Sequence, residues 1–96
     1  MTVALYVRIE LKPDTRDKFV ARAKEHRKNV LANESYCQRF DLLIPQDTDN
    51  VVCLYEVYDD EDALRAHGET QYFGEYREDT SDWVVDRART QSTLVD

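Results

Sequence analysis

Hydrophobic and polar residues alternate along the first segment of the chain, Val3–Leu11. Every odd-numbered position in it is apolar, while Tyr6, Arg8 and Glu10 occupy positions between them. A period of two residues is typical of a strand that buries one face and exposes the other. The sequence therefore predicts a half-buried first β-strand.

A helical period follows over residues 15–32. Its inner stripe has spacings of four, three and four residues and consists of Phe19, Ala23, His26 and Val30. At 100° per residue these side chains lie within about 40° of one another. We therefore predict an amphipathic helix, capped by Asp14 or Thr15, with the imidazole of His26 on its buried side.

Two apolar, β-branched and aromatic runs follow at residues 38–44 and Val51–Tyr58. The residues between them, 45–50, are rich in turn formers, so the two runs predict a β-hairpin with a long connection. Consecutive carboxylates at residues 59–62 then precede a second helix, where the helix dipole favours negative charge. We expect this acidic run to cap the helix rather than to bind a metal.

The last third of the chain predicts a short helix that ends at Gly68 and carries His67 on its inner face. Residues 70–76 resume the helix after a kink, and residues 87–95 form a final strand rich in Arg, Thr and Gln. The order of elements is therefore β-α-β-β-α-β, the ferredoxin-like arrangement of the α+β class.

The predicted fold also bears on assembly. We expect one domain over residues 1–96, with both helices on one face of a four-stranded sheet. The other face needs a cover, and in a chain of this length the available cover is a second copy. The order of elements therefore predicts a homodimer.

Composition narrows the possible partners. The 96 residues include 20 acidic and 13 basic ones, which gives a formal net charge of −7. Nucleic acids and anionic membranes need a basic face, so we expect neither as a partner. The apolar runs are far shorter than the roughly 20 residues that span a bilayer, and the N-terminus lacks the features of a signal peptide. We expect a soluble, cytoplasmic domain.

Cys37 and Cys53 raise the questions of a metal site and a disulfide. The chain has two histidines and no Cys-x-x-Cys pair, whereas structural zinc needs four ligands in short paired spacings, so we expect no metal. In the predicted hairpin the cysteines lie about 16 Å apart at roughly 3.3 Å per residue, too far for a disulfide. We expect reduced thiols packed in strands. Glycine-rich nucleotide motifs are missing too, so we expect no cofactor.

Two histidines are candidates for chemistry, because imidazole is well suited to proton transfer near neutral pH. His26 and His67 both lie on predicted inner faces of helices. Each is either a hydrogen-bonded core residue or part of the wall of a pocket between helices and sheet. Glu56 lies between apolar neighbours on a predicted strand and either orients a histidine or pairs elsewhere.

Aromatic residues cluster in the segment that contains Tyr72, Phe73, Tyr76 and Trp83. These side chains either pack the core or line a site for a planar, hydroxylated ligand. Asn33, near the end of the first helix, either caps that helix or faces a ligand. The residues alone leave both pairs of alternatives open.

Two stretches of the chain resemble the antibiotic biosynthesis monooxygenase (ABM) family, also described as quinol monooxygenases. Residues 33–42 read N-E-S-Y-C-Q-R-F-D-L, which is similar to the family's E-P-G-C-x-R-F-D at the start of a strand. Residues 54–67 and 70–73 read L-Y-E-V-Y-D-D-E-D-A-L-R-A-H and T-Q-Y-F, which is similar to its Y-E-x-Y-x-(D/N)-x-x-A-x-x-x-H segment and the following aromatic pair. Ser35 and Tyr36 stand where the family often has Pro-Gly, a difference confined to the turn.

The resemblance implies a homodimer in which two ferredoxin-like subunits form a dimeric α+β barrel, with a pocket between sheet and helices in each subunit. Some family members oxidise quinols or polyketide phenols with O₂ and without metal, flavin or haem. Other branches degrade haem or isomerise phosphorylated autoinducer-2. The haem-degrading branch is set aside, because His67 and Arg77 stand where it has Trp and His. The isomerase branch has a histidine near the position of His26.

We therefore predict a cofactor-independent monooxygenase that oxidises a small quinol-like or polyphenolic substrate with O₂. In this hypothesis His67 accepts the substrate proton, and His26 and Asn33 orient the substrate. The predicted aromatic lining consists of Tyr72, Phe73 and Trp83.

Two alternatives belong to other classes of protein. An isomerase of a small dicarbonyl or sugar phosphate would use the same histidines, with Arg39 or Arg27 as the contact to the phosphate. A non-catalytic module would bind or sense a small ligand in the same pocket.

Overall fold

The computed structural model describes residues 1–95. Within them the chain forms a four-stranded antiparallel sheet with α-helices on one face, which confirms the predicted ferredoxin-like α+β fold. In chain order the elements are β1 (Val3–Leu11), α1 (Arg16–Asn33), β2 (Cys37–Leu43), β3 (Val51–Tyr58), α2 (Glu61–Gly68), α3 (Gln71–Thr80) and β4 (Val84–Thr93). A 3₁₀ turn at Ser81–Trp83 joins α3 to β4. None of the helices in this described part is long and apolar enough to cross a membrane.

Strand β1 lies inside the sheet, whose order is β2-β3-β1-β4. Val7 of β1 faces Leu54 of β3 on one side and Arg89 of β4 on the other. Directly paired residues on neighbouring strands share a face of the sheet, so these three side chains point towards the helices. The odd-numbered residues of β1 are buried, as the period of two predicts.

Helix α1 buries the predicted stripe, which consists of Phe19, Ala23, His26 and Val30. It packs against α3, where the ring of Phe19 meets the ring of Tyr76 edge to face at a centroid distance of 6.1 Å. Removing these apolar side chains from water holds the helices on the sheet. It also sets the rotation of α1 about its axis, so His26 is buried against the neighbouring elements.

The two predicted helix caps have different outcomes. Thr15 is the N-cap residue of α1, which is one of the two predicted positions, but its hydroxyl donates to the carbonyl of Lys12 at 2.7 Å and accepts no hydrogen bond from the helix. A φ of 65° at Asp14 turns the chain into α1 instead. Asp60 accepts a hydrogen bond from the backbone N–H of Ala63 at 2.8 Å, which confirms the predicted acidic cap of α2.

Two elements extend beyond their predicted bounds. α3 continues to Thr80 rather than to residue 76, and the Thr80 hydroxyl donates to a backbone carbonyl one turn earlier at 2.8 Å. β4 begins at Val84 rather than at residue 87, because Val84 pairs with Leu11 beyond an irregularity in the register. Backbone hydrogen bonds extend both elements through residues that show no apolar period.

Both cysteines are buried and free, as predicted. Cys37 pairs with Tyr58, at the opposite end of the β2–β3 ladder from Cys53. Cys53 faces away from the helices, where the hydroxyl of Tyr6 donates to its sulfur at 3.2 Å. The two thiols therefore pack in separate surroundings.

The second face of the sheet carries no helix in residues 1–95. Its side chains mix apolar and charged groups, among them Tyr6, Arg8, Leu43 and Tyr55. Tyr6 is 43% exposed and Leu43 is 44% exposed. Large apolar side chains therefore remain in contact with water on this face of a single subunit.

Replacing Asp60 by alanine tests the cap of α2. The variant loses the acceptor for the N–H of Ala63, so we expect the free energy of unfolding to fall by about 0.5–2 kcal/mol in urea titrations. Asp60→Asn keeps a side-chain oxygen at this position and should retain most of the stability. Equal losses in the two variants would show that charge, rather than the hydrogen bond, stabilises this helix end.

Candidate functional site

A cavity of about 330 Å³ lies between the sheet and the helices. Its floor is the helix-facing side of β1, β3 and β4, and both histidines contribute to its walls. Its apolar lining includes Leu5, Val7, Phe40 and Leu54. A volume of this size lies within the range of small-molecule sites.

His67 lies on α2 and is 3% exposed. Its Nδ1 atom is 2.9 Å and 3.1 Å from the two carboxylate oxygens of Glu34. A carboxylate accepts hydrogen bonds and does not donate them, so Nδ1 carries the proton and the lone pair of the neutral ring is on Nε2. Burial lowers the pKa of His67, although Glu34 opposes this shift, so the ring is neutral at pH 7.

Glu34 follows directly after α1 and is 2% exposed. Its backbone N–H donates to the carbonyl of Val30 at 2.8 Å, which continues the turn of the helix. Tyr72 of α3 donates its hydroxyl to Oε2 of Glu34 in a short hydrogen bond. A buried carboxylate is stable only when donors replace its lost water, and His67 and Tyr72 provide those donors.

A second buried carboxylate lies on the other side of the imidazole. Oε1 of Glu56, on β3, accepts a hydrogen bond from the hydroxyl of Tyr58 at 2.6 Å. Burial raises the pKa of Glu56 to about 7, although Tyr58 and Arg89 oppose this shift. Oε1 is 3.8 Å from Nε2 of His67, which is too long for a hydrogen bond. A hydroxyl group placed between these two atoms could reach both of them.

We call Glu56 Oε1 and His67 Nε2 the acid–base end of the cavity. Among the residues that the structure describes, no group of three or more His, Cys, Asp or Glu side chains is arranged to hold a metal ion. Glu34 and Glu56 instead face opposite nitrogens of one imidazole. This arrangement is suited to accepting and passing on a proton.

His26 stacks on Tyr76, with ring centroids 4.2 Å apart and planes 4° apart. Burial, reinforced by His67 and Arg22, lowers the pKa of His26 to about 3, so its ring is neutral at pH 7. An imidazole with so low a pKa is a weak base, and His26 suits an orienting role better than proton abstraction. Its Nδ1 atom and the hydroxyl of Tyr76 are buried without a hydrogen-bond partner in residues 1–95.

Three arginines line the part of the cavity near β4, and we call them the cationic end: Arg77, Arg87 and Arg89. Arg87 is half-buried, whereas Arg77 and Arg89 are exposed. The guanidinium of Arg77 lies over the ring of Phe73, 5.6 Å from its centroid. The cavity thus joins an acid–base end to a cationic end across strand β1.

The structure brings some of the predicted site residues together. His26, His67 and Phe73 all line the cavity, and the ring centroids of the two histidines are 5.6 Å apart. Tyr72 is near them, but its hydroxyl contacts Glu34 rather than the cavity. Tyr72 is therefore placed to support His67 through Glu34 rather than to contact a ligand.

Other predicted residues lie outside the cavity. Asn33 is exposed, because the last turn of α1 rotates it off the buried stripe, and its amide donates to a backbone carbonyl one turn earlier at 2.8 Å. Arg39 is on the opposite face of the sheet, where it pairs with a carboxylate, and Arg27 does not line the cavity either. Trp83 packs at the end of the core, with Nζ of Lys18 at 5.0 Å from its ring.

The sequence pattern did not single out Glu34, Arg87 or Arg89 for this site. Glu34 lies four residues after Val30, so it continues the buried stripe, but the expected end of the helix obscured that signal. Arg87 and Arg89 are two residues apart on one strand and therefore share a face. A strand as polar as β4 gives no indication of which face that is until its register is known.

The sequence model of the antibiotic biosynthesis monooxygenase family matches residues 2–79. This range exceeds half of the chain and includes both histidines and both buried carboxylates. No curated protein matches the chain significantly.

Solved structures with the same fold include proteins from three bacteria. One from Nitrosomonas europaea, provisionally named an antibiotic biosynthesis monooxygenase, has a TM-score of 0.93 at 23% identity, over 98% of this chain and 90% of that one. A similarly named protein from Caulobacter crescentus has a TM-score of 0.95 at 21% identity, over 99% and 91%. Rv0793 from Mycobacterium tuberculosis has a TM-score of 0.89 at 24% identity, over 100% and 97%.

At these identities the structural likeness establishes a shared fold. Membership of the family follows from the match of its sequence model to residues 2–79. The fold and the cavity between sheet and helices, with both histidines within the matched residues, are consistent with that match. The chain therefore belongs to the antibiotic biosynthesis monooxygenase family.

Proposed function

We propose that this protein is a monooxygenase that oxidises a small quinol-like or polyphenolic substrate with O₂ and without a cofactor. The observation that carries the proposal is the acid–base end of the cavity, where Nε2 of His67 and Oε1 of Glu56 are 3.8 Å apart. Both residues line the cavity. A phenolic hydroxyl bound between them would have two acceptors for its proton.

His67 is the proton acceptor in this proposal. When Nε2 accepts the proton, the ring becomes an imidazolium whose charge lies beside the carboxylate of Glu34, 2.9 Å from Nδ1. This ion pair forms only as the proton moves, so it stabilises the charged state more than the starting state. Glu34 and Tyr72 act through His67 and are therefore positioning residues.

In the proposed reaction, the substrate itself supplies the electrons that reduce O₂. Loss of the phenolic proton makes the ring electron-rich enough to reduce O₂, and a carbon–oxygen bond forms at an unsubstituted ring carbon. The ring C–H proton then leaves and the O–O bond of the hydroperoxide breaks, so one oxygen stays on the ring and the other leaves as water. For menadiol, the products are 2-hydroxy-3-methyl-1,4-naphthoquinone and water.

The rest of the lining supports this chemistry by excluding water and orienting the ring. Leu5, Val7 and Leu54 give the cavity an apolar floor. His26 and Tyr76 both line the cavity, and their stacked rings add aromatic surface that a planar substrate can contact. The buried Nδ1 of His26 is free to hydrogen-bond a substrate oxygen.

Oxygen uptake with menadiol tests the proposed activity. We expect protein-dependent consumption of O₂ above the uncatalysed rate, insensitive to chelators and without added flavin or haem. With ¹⁸O₂, the quinone product should gain a single labelled oxygen and the other label should appear in water. Menadione and hydrogen peroxide as the products would identify an oxidase and overturn the monooxygenase proposal.

Substitution of His67 in the same assay separates catalysis from packing. His67→Gln removes the proton acceptor, so turnover per folded molecule should fall roughly 10²- to 10⁴-fold. Tyr72→Phe is the matched control, because it removes the other donor to Glu34 and leaves the imidazole in place. We expect this control to lose comparable stability but less than about tenfold in turnover. A destabilised His67→Gln with wild-type turnover would contradict the assignment.

The buried proton of Glu56 should appear in the dependence of stability on pH. Its folded-state pKa of about 7 lies above the ordinary carboxyl value, so the folded protein keeps a proton that the unfolded chain releases. The stabilisation is complete below about pH 4 and is lost as the pH rises through 7, a total change of roughly 3 kcal/mol.

Glu56→Gln removes this titration while keeping an acceptor for Tyr58. In urea titrations, the variant should gain stability relative to wild type between pH 5 and pH 8. Glu61→Gln, which removes an exposed carboxylate from α2, should show no comparable change. A constant difference between wild type and Glu56→Gln across this range would mean that Glu56 is ionised throughout.

We also propose that the protein acts as a homodimer joined through the second face of the sheet. The support is the exposure of large apolar side chains there, such as Tyr6 and Leu43, in a chain too short to bury a large core alone. An isologous contact between two copies of this face would remove them from water.

Sedimentation equilibrium tests this assembly. Wild-type protein should be a dimer at micromolar concentration, and Tyr6→Glu should shift it towards monomer because a charge enters the contact. Leu31→Glu changes an apolar side chain on α1 that is somewhat more exposed, at 53%, and should leave the dimer intact. A wild-type monomer at this concentration would rule the assembly out.

A further inference from the structure

The cationic end of the cavity has no role in the proposed proton transfer. Arg87 and Arg89 pair with Ile9 and Val7 of β1, whose side chains are buried on the helix-facing side of the sheet. Both arginines therefore extend over the floor of the cavity from its edge strand. Cationic side chains stand here where neighbouring strands carry apolar ones.

The arginines of this end form no ion pair with a carboxylate within residues 1–95. Among residues 1–95, the arginines that form ion pairs with carboxylates are Arg22, Arg39 and Arg65. Arg77, Arg87 and Arg89 line the cavity without such a partner. Burial and the neighbouring charge of Arg77 both lower the pKa of Arg87, although Tyr76 opposes this shift, so the charged form of Arg87 is disfavoured here. A bound anion would stabilise that charged form.

A neutral donor lies beside these cations. Tyr76 lines the same cavity, its hydroxyl is buried, and no acceptor for the hydroxyl proton lies within hydrogen-bonding distance in the described residues. Burial raises the pKa of Tyr76 to about 12, and the nearby Arg87 opposes this shift. The hydroxyl therefore keeps its proton at neutral pH and can donate it to an anion. A buried orphan donor next to unpaired guanidinium groups is the arrangement expected of an anion site.

The two ends of the cavity are separated by a distance that a single ligand can span. Glu56 on β3 pairs with Leu5 of β1, whereas Arg89 on β4 pairs with Val7, two residues further along β1. Two strand spacings and an offset of two residues place their backbones about 12 Å apart. Arg89 also lowers the pKa of Glu56 against the effect of burial, so the two ends share one electrostatic environment.

We infer that the substrate carries an anionic group, a carboxylate or a phosphate, that binds Arg87, Arg89 and the hydroxyl of Tyr76 while its phenolic hydroxyl faces His67. The position of the hydroxyl rests on the function proposed above, whereas the anion site rests on the cationic end alone. The substrate class is thus a hydroxyaromatic acid or phosphate, with its two polar groups at opposite ends of a flat ring system.

Binding of an oxidation-resistant probe tests the inference without any need for turnover. 6-Hydroxy-2-naphthoate carries a hydroxyl and a carboxylate at opposite ends of a bicyclic ring, and its methyl ester lacks only the charge. In isothermal titration calorimetry, the acid should bind about tenfold or more tightly than the ester, because charged hydrogen bonds form with it alone. Added salt should weaken the binding of the acid and leave the binding of the ester unchanged.

Substitutions locate the site. Arg87→Gln and Arg89→Gln should each lower the affinity for the acid towards that for the ester and leave the ester unchanged. Arg65→Gln, on the exposed side of α2, is the matched control and should preserve the preference. Binding of 2-naphthyl phosphate distinguishes a carboxylate from a phosphate as the anionic group. Tighter binding of the phosphate than of the acid would assign a phosphate substrate.

Equal affinity of the wild-type protein for acid and ester, or no detectable binding of the acid at millimolar concentration, would overturn the inference. A preference that survives both arginine substitutions would also overturn it. Failure of oxygen uptake with menadiol is a separate result, because it removes the proposed oxidation and leaves the anion preference measurable.

Discussion

The hydrogen bond between Glu34 and His67 is the constraint on which the whole site depends. It joins the end of α1 to α2, and Tyr72 extends it to α3, so a single buried carboxylate connects all three helices. Burying that carboxylate is unfavourable unless its donors are present, which makes the positions of the helices interdependent. The same bond places the proton on Nδ1 and turns the lone pair of Nε2 away from Glu34. Helix packing and the protonation state of His67 are therefore set together.

The distribution of charge in the cavity differs from that of the whole chain. The formal net charge is −7, yet the part of the cavity near β4 is lined by arginines. The acidic excess instead lies on exposed positions, such as the run that begins α2. Net charge describes solubility and long-range attraction, whereas a cavity responds to the few groups that face it. A chain with a negative net charge can thus still favour a small anion at one defined place.

Periodicity in the sequence was enough to predict the fold and the burial of both histidines. A helix turns by 100° per residue, so the stripe that contains Phe19 also placed His26 inside. The same rotation explains the misplacement of Asn33, which is one residue away from buried Glu34 on a different side of the helix end. Arg39 was misplaced because one step along a strand reverses the face. Arg87 and Arg89 required the register of β4 against β1, which only the folded sheet reveals.

The position of β1 between β3 and β4 has a consequence for how relatives with this fold could diversify. Strand spacing is set by backbone hydrogen bonds, so side-chain changes cannot lengthen or shorten the separation between the backbones of Glu56 and Arg89. They can change the height of the cavity, through Leu5 and Val7 below and through helix residues such as Phe73 above. Ligand thickness and shape are thus open to gradual evolutionary change, whereas the spacing of the strands that carry Glu56 and Arg89 is inherited with the sheet.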